Sequence, residues 1–178
     1  MMADSSAAAQ QSARPGFDVI NRAVEDHFNS LPDYQAGDLV TQSQVEAALV
    51  SVRDAGWDVP ESDRLVKLAL PDSSFLASQF ATREGRKFAR KIARHPGAYG
   101  RLDRLSSIAR GQKIVRDLIA QPGGDKFIEY LATASGGQNL GRMLAGARHG
   151  SDLNKPTGRI YTAADLLAEL QRVYAATK

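Results

Sequence analysis

The run from residue 83 to 116 holds the side chains whose chemistry is most evident, because it concentrates positive charge. It contains eleven Lys or Arg and only two acids, Glu84 and Asp103. Guanidinium and ammonium groups bind carboxylates and phosphates through charge-assisted hydrogen bonds. Residues 1–82 have the opposite balance, with five basic and twelve acidic side chains. The asymmetry indicates either a surface for an anionic partner or two faces of one molecule that neutralise each other.

Eight residues of this run are the candidate anion-binding side chains. The spacing of apolar residues predicts one helix over about 74–95, with Phe88 and Ile92 on its apolar side. The basic side chains fall on the opposite side, and a second predicted helix over 99–120 continues them. The candidates are Arg83, Arg86, Lys87, Arg90, Lys91, Arg94, Arg101 and Arg104.

A helix with one basic and one apolar face can bind an anionic membrane, an acidic protein groove or a phosphate backbone. The alternative is a face that is solvated, or one that is covered by the acids of residues 18–72. Only two aromatic residues, Phe88 and Tyr99, are interleaved with the charges, and no motif of a DNA- or RNA-reading fold is present. The sequence therefore predicts an acidic protein or a polyanion as partner, and no sequence-specific nucleic acid.

Two further segments are candidates for a cleft. The glycine cluster 135–141 lacks the Gly-Lys-Ser/Thr of a phosphate-binding loop and follows no predicted strand, so it is interpreted as a tight turn between helices. Segment 155–161 is interpreted as an arm for the last helix, with Ile160 and Tyr161 in the core. An all-α hydrolase acting on a polymer would have its cleft near the Gly136 turn and the Pro156 loop.

No residue is assigned to catalysis, to a metal or to a cofactor. The chain has no Cys, and its three histidines, His27, His95 and His149, are not in the spacing of a zinc site. The segment that begins at Asp54 has Val59 where a calcium loop needs Gly, and it has Leu65 where that loop needs Glu. The Gly-x-Ser-x-Gly of a nucleophile elbow does not occur.

The elements that must position the basic side chains are all predicted to be helices. Apolar residues recur at spacings of three and four, and no segment alternates apolar and polar residues as a half-buried strand does. A chain of 178 residues can form one domain with a sizeable core. The prediction is an all-α, single compact domain of about seven to eight helices with short loops over residues 17–178. Residues 1–16, which are small, polar and aperiodic, are predicted to be a flexible N-terminal tail.

Several helix starts are predicted from capping chemistry. Thr41 and Gln44 fit a capping box, and Thr162 and Asp165 fit its acidic variant. Asp72 or Ser73 is predicted to cap the basic helix. No repeat of 30 to 45 residues, the period of helical solenoids, is present.

The sequence leaves the cellular compartment open. No apolar run approaches the ~18 residues that a membrane span requires. The first sixteen residues lack the apolar stretch of a signal peptide.

Three functional hypotheses follow. The first is a non-catalytic helical binding module whose basic helix pair, residues 83–116, docks an anionic partner. The second is the all-α hydrolase described above, which requires a pocket with converging carboxylates or a histidine. The third is a structural or oligomeric module, for which an exposed apolar patch on the last helix would be the sign.

Overall fold

The structure is a computed structural model that describes residues 14–93, 95, 97–107, 110–131 and 159–177. The described part is mostly helical and compact and contains no named β-strand, which confirms the all-α prediction. Its nine helices are α1 (Phe17–Asn29), α2 (Gln42–Asp54), α3 (Ser62–Leu68), α4 (Phe75–Phe80), α5 (Arg83–Ile92), α6 (Ala98–Ser106), α7 (Gly111–Ala120), α8 (Gly124–Leu131) and α9 (Ala163–Ala176).

The first apolar core, here called the terminal cluster, combines residues from both ends of the chain. Helix α1 buries Ile20, Val24 and Phe28, whose spacing of four residues places them on one helix face. Helices α2 and α9 pack against α1, and α3 packs against α2. The buried members are Ile20, Val24, Phe28, Val40, Val45, Ala48, Leu49, Val52, Trp57, Val59, Leu65, Ala69, Ile160, Leu166, Leu170 and Val173.

The second core, here called the central cluster, is formed by the shorter helices α4 to α8. Its buried members are Leu70, Leu76, Phe80, Phe88, Ala89, Ile92, Ala98, Tyr99, Leu102, Leu105, Val115 and Tyr161. The rings of Phe80 and Tyr99 meet edge to face with centroids 5.5 Å apart. Helix α5, which bears the basic side chains, is held through Phe88, Ala89 and Ile92 in this core.

Two short extended segments join the clusters. Ala69 and Ile160 form an isolated bridge and belong to the terminal cluster, whereas the next residues, Leu70 and Tyr161, belong to the central cluster. The Ile160 N–H donates to the Leu68 carbonyl at 3.0 Å. The predicted burial of Ile160 and Tyr161 is confirmed. Both segments cross from one core to the other at the same place.

The predicted basic helix over 74–95 is divided into α4 and α5. Thr82 ends the first and caps the second, since its hydroxyl donates to the Gln79 carbonyl at 2.9 Å and accepts from the Gly85 N–H at 3.0 Å. The cap of α4 is Ser74, which accepts from the Ala77 N–H, and neither of the two predicted residues has this role. The predicted helix over 99–120 is likewise divided, into α6 and α7. These two divisions explain why the described part has more helices than the sequence suggested.

A glycine permits close approach of the chain at three of these helix junctions. A Cβ atom at Gly85, Gly111 or Gly124 would lie 1.6 to 1.9 Å from the carbonyl oxygen of the residue six positions earlier. Counted from Gly85 in steps of 13 residues, the chain reaches Ala98, Gly111 and Gly124. Beside Ala98, Gly97 has φ of +77°. This 13-residue period is shorter than the 30 to 45 residues of a helical solenoid repeat, because each unit is a single short helix.

The predicted flexible tail, residues 1–16, is not free at its end. The Arg14 guanidinium lies 3.6 Å from the centre of the Tyr174 ring and donates to the Tyr174 carbonyl at 2.7 Å. The Tyr174 hydroxyl donates to the Pro15 carbonyl at 3.0 Å. Residues 14–16 are therefore anchored to α9, and residues 1–13 of the predicted tail lie outside the described residues.

Candidate anion-binding face

Helix α5 presents its basic side chains on the side opposite its buried residues. Arg83, Lys87 and Lys91 are exposed, and Arg86 and Arg90 are half-buried. The helix is short, but the Thr82 cap and the Gly85 contact fix where it begins. The predicted separation of charged and apolar faces is thus present over the whole of α5.

Four of these cations line a single depression, here called the basic groove. It has a volume of about 320 Å³ and lies between α5 and the loop that follows α1. Its lining residues are Asp33, Tyr34, Gln35, Arg83, Arg86, Lys87 and Arg90. Asp33 is the one acid in this lining, against four cations. A concave surface with such an excess of one charge attracts counter-ions.

Arg90 differs from its neighbours because its charge is already met inside the protein. Its Nε lies 3.2 Å from Oδ1 of Asp38, and its Nη2 donates to the Asp33 carbonyl at 2.8 Å. Asp38 is the one buried charged residue in the described part of the chain. Its second oxygen accepts from the Gln35 N–H at 3.0 Å. Of the predicted candidates, Arg90 therefore anchors the groove wall and is not open to an external anion.

Two tyrosines near Asp38 have hydroxyls that stay neutral at physiological pH: Tyr34, which lines the groove, and Tyr99, which is buried. Burial, with a smaller effect of the Asp38 charge, raises the pKa of Tyr34 above its ordinary value. Burial also raises the pKa of Tyr99, whose hydroxyl donates to the Gly37 carbonyl at 2.6 Å. Because the Tyr99 bond and the Arg90–Asp38 pair hold neighbouring residues of the loop, the groove wall is fixed before any partner arrives.

The remaining candidates are not gathered at the basic groove. Lys91 lines a different groove of about 390 Å³, where Glu84 and Asp125 are also present, and Lys87 borders both grooves. Arg101 and Arg104 are half-buried on α6 and line neither groove, and burial lowers the pKa of Arg101. Arg94 lies outside the described residues. Of the eight predicted anion-binding residues, Arg83, Arg86 and Lys87 thus line the basic groove together and have no acidic partner described above.

A second depression, here called the mixed cleft, continues from the basic groove. It has a volume of about 280 Å³ and shares Asp33, Tyr34 and Arg86 with the groove. Leu31, Leu39, Ala77, Phe80, Ala81 and Ala89 contribute its apolar wall. Its polar wall includes Asp38, Thr41, Ser43, Gln44 and Asp72.

Asp72 at the polar wall is held by residues that begin α2. Its carboxylate accepts from the Ser43 N–H at 3.0 Å, from the Ser43 hydroxyl and from the Thr41 hydroxyl at 3.1 Å. The bond from the Ser43 hydroxyl is the main cause that lowers the pKa of Asp72. Gln44 accepts from the Thr41 N–H, as in the predicted capping box. Sequence reasoning missed this cluster because Asp72 was interpreted as a helix cap.

In the described part of the chain no three His, Asp or Glu side chains are arranged to hold a metal ion. His27 Nδ1 lies 3.3 Å from the Ser51 hydroxyl, and burial lowers the pKa of this histidine. His149, the Gly136 turn and the Pro156 loop lie outside the described residues.

No helix in the described part is long and apolar enough to cross a bilayer.

Comparison with known proteins gives no assignment. No protein-family model matches the chain, and neither the curated proteins nor the solved structures contain a match.

Proposed function

We propose that the protein is a non-catalytic helical binding module that docks an anionic partner on the basic groove. One observation carries the proposal. Arg83, Arg86 and Lys87 line one concave surface of about 320 Å³ in which Arg90 is already paired. The three remaining cations are the surface for the partner.

The chemistry of the groove suits carboxylates or phosphates. Each guanidinium can donate two parallel hydrogen bonds to such a group, and Lys87 adds a compact charge. Helix α5 is anchored by its buried residues, and the opposite wall is fixed by Asp38. A partner therefore meets cations whose backbone is already in place, which reduces the entropy lost on binding.

The other two hypotheses receive less support from the described residues. The cleft expected for a hydrolase involves the Gly136 turn and the Pro156 loop, which fall outside them. A structural module would show exposed apolar residues on α9. Instead, Leu166, Leu170 and Val173 of α9 are buried, and the large apolar side chains that are exposed in the described part are Val19, Val50 and Tyr130.

The proposal is tested with the triple variant Arg83→Gln, Arg86→Gln and Lys87→Gln, titrated with fluorescent non-specific duplex DNA and with heparin. Three ionic contacts predict a slope of about −2.7 in a plot of log affinity against log salt for DNA, or roughly 40-fold between ~50 and ~200 mM salt. We expect the triple variant to lose most of the binding and most of the slope.

The matched control replaces the same number of cations on the terminal cluster, with Arg22→Gln, Arg53→Gln and Lys67→Gln. All three are exposed. The control is expected to bind as the original chain does. Equal loss in both triple variants would show a general charge effect, and no loss in either would contradict the proposal.

A further inference from the structure

We propose that the partner is an acidic, extended protein segment that places its carboxylates in the basic groove and one large apolar side chain in the mixed cleft. This inference rests on the proposed function and names the class of ligand. Its competitor is a uniform polyanion such as nucleic acid or a sulfated polysaccharide.

The basic groove and the mixed cleft are continuous. Arg86, Tyr34 and Asp33 line both depressions, so the basic groove and the mixed cleft share a wall. A ligand bound at Arg83 and Lys87 that extends past Arg86 enters the mixed cleft. The two depressions therefore act as one elongated binding surface with two chemically different ends.

The mixed cleft has an apolar wall that a polyanion cannot use. Leu31, Leu39, Phe80 and Ala81 all line it. Covering such surface is favourable for a ligand that carries an apolar group, which a phosphate backbone or a sulfated sugar does not present. A volume of about 280 Å³ is suited to a single aliphatic or aromatic side chain.

The charge reverses along the surface. The α5 end carries Arg83, Arg86 and Lys87, whereas the far end of the mixed cleft carries the Asp72 carboxylate. Three hydrogen bonds from Ser43 and Thr41 stabilise its ionised form. A ligand with negative charge along its whole length is repelled there. A peptide can instead present neutral N–H donors to Asp72 after its acidic residues have passed Arg86.

The experiment uses fluorescein-labelled peptides of about ten residues, which span roughly 30 Å when extended. One peptide contains Glu and Ser with a single Leu, the second has Ala in place of Leu, and heparin is the polyanion probe. Burial of one Leu side chain predicts that the first peptide binds about 10-fold or more tightly than the second.

The cleft is blocked with Ala81→Leu, and the matched control is Ala120→Leu in the groove that contains Lys91. Both alanines are exposed and both line a depression, so neither change is expected to unfold the chain. Circular dichroism checks this. We expect Ala81→Leu to abolish the difference between the Leu and Ala peptides without changing heparin binding, and Ala120→Leu to preserve the difference.

Two outcomes overturn the inference. One is equal affinity for the Leu and Ala peptides, and the other is a Leu preference that survives in Ala81→Leu. If the α5 triple variant still loses heparin and peptide binding in either case, a polyanion or an acidic protein without an apolar anchor docks there, and the proposed function stands. If the triple variant loses neither, the proposed function itself fails.

Discussion

The two apolar clusters are built in different ways, although both consist of packed helices. In the terminal cluster, α1, α2 and α9 each have 13 or 14 residues, and α3 is shorter, with seven. In the central cluster, α4 to α8 have six to ten residues and meet at junctions where three glycines contact a carbonyl oxygen. Residues 1–82, which hold twelve acids, contribute most of the first cluster, and the basic run 83–116 contributes most of the second.

Because of this difference, a single substitution should affect the two clusters differently. Long helices distribute their stabilisation over many contacts and tolerate a single change at a helix end. Short helices depend on the geometry of their junctions, because a shift at one turn displaces the next helix as a unit. The glycine junctions of the central cluster therefore determine the placement of the cations on α5.

The largest effect is expected for Gly111→Ala. The new Cβ would lie 1.6 Å from the Leu105 carbonyl oxygen, which is backbone and cannot swing away. We expect a loss of about 3 kcal/mol in the free energy of unfolding, at the upper end of overpacking effects. Gly123→Ala, which has open space but φ of +82°, should cost about 1–2 kcal/mol.

Urea unfolding followed by two signals sharpens the comparison. The single tryptophan, Trp57, lies in the terminal cluster, whereas far-UV circular dichroism reports helices of both clusters. We expect the dichroism transition of Gly111→Ala to begin at lower urea than the Trp57 fluorescence transition. Coincident transitions with unchanged midpoints would contradict the importance of this junction.

The next effect is expected for Asp38→Asn, which weakens the tie between the loop after α1 and helix α5. Asp38 is buried and the Arg90 side chain is 29% exposed, so the loss should fall below that of a fully buried pair, at about 2 kcal/mol.

The matched control for Asp38→Asn is Glu61→Gln, which breaks an exposed pair with Arg64 at 3.6 Å. Exposed pairs contribute roughly 0–1 kcal/mol, so little change in the unfolding midpoint is expected. Similar losses in the two variants would show that burial of Asp38 has no special role.

The smallest effect concerns pH. Burial lowers the pKa of His27 in the folded terminal cluster below its ordinary value of 6.5. The unfolded chain therefore takes up a proton more readily, and stability should fall as pH decreases through 6.5 towards the lower folded pKa. His27→Gln should show a smaller decrease in Tm between pH ~7.5 and ~5.5. An unchanged pH profile would contradict this account.

Local signals in the sequence predicted much of the fold. The capping pair of Thr162 and Asp165, for example, forms in full, with hydrogen bonds of 3.1 and 3.2 Å. The two faces of α5 were also predictable, because they depend only on helical periodicity. Such features involve residues within one or two turns of each other, where spacing alone determines the neighbours.

The parts that escaped prediction depend on distant residues or on a competing local structure. Asp38 and Arg90 are 52 residues apart, and nothing near either one marks it as a partner of the other. The division at Thr82 was missed because Thr within an apolar repeat resembles a helix-interior residue. The signal for these divisions is the 13-residue spacing on which Gly85, Gly111 and Gly124 lie.

The chain leaves the terminal cluster at residues 69–70 and returns to it at residues 160–161, and these two segments lie side by side. The central cluster is therefore inserted into the terminal cluster at a single place. The 13-residue register continues in the sequence through Gly137 and Gly150. Addition or removal of one such unit would leave both joining segments with their present partners. We therefore expect the terminal cluster to keep its packing when the central cluster is lengthened or shortened by one such unit.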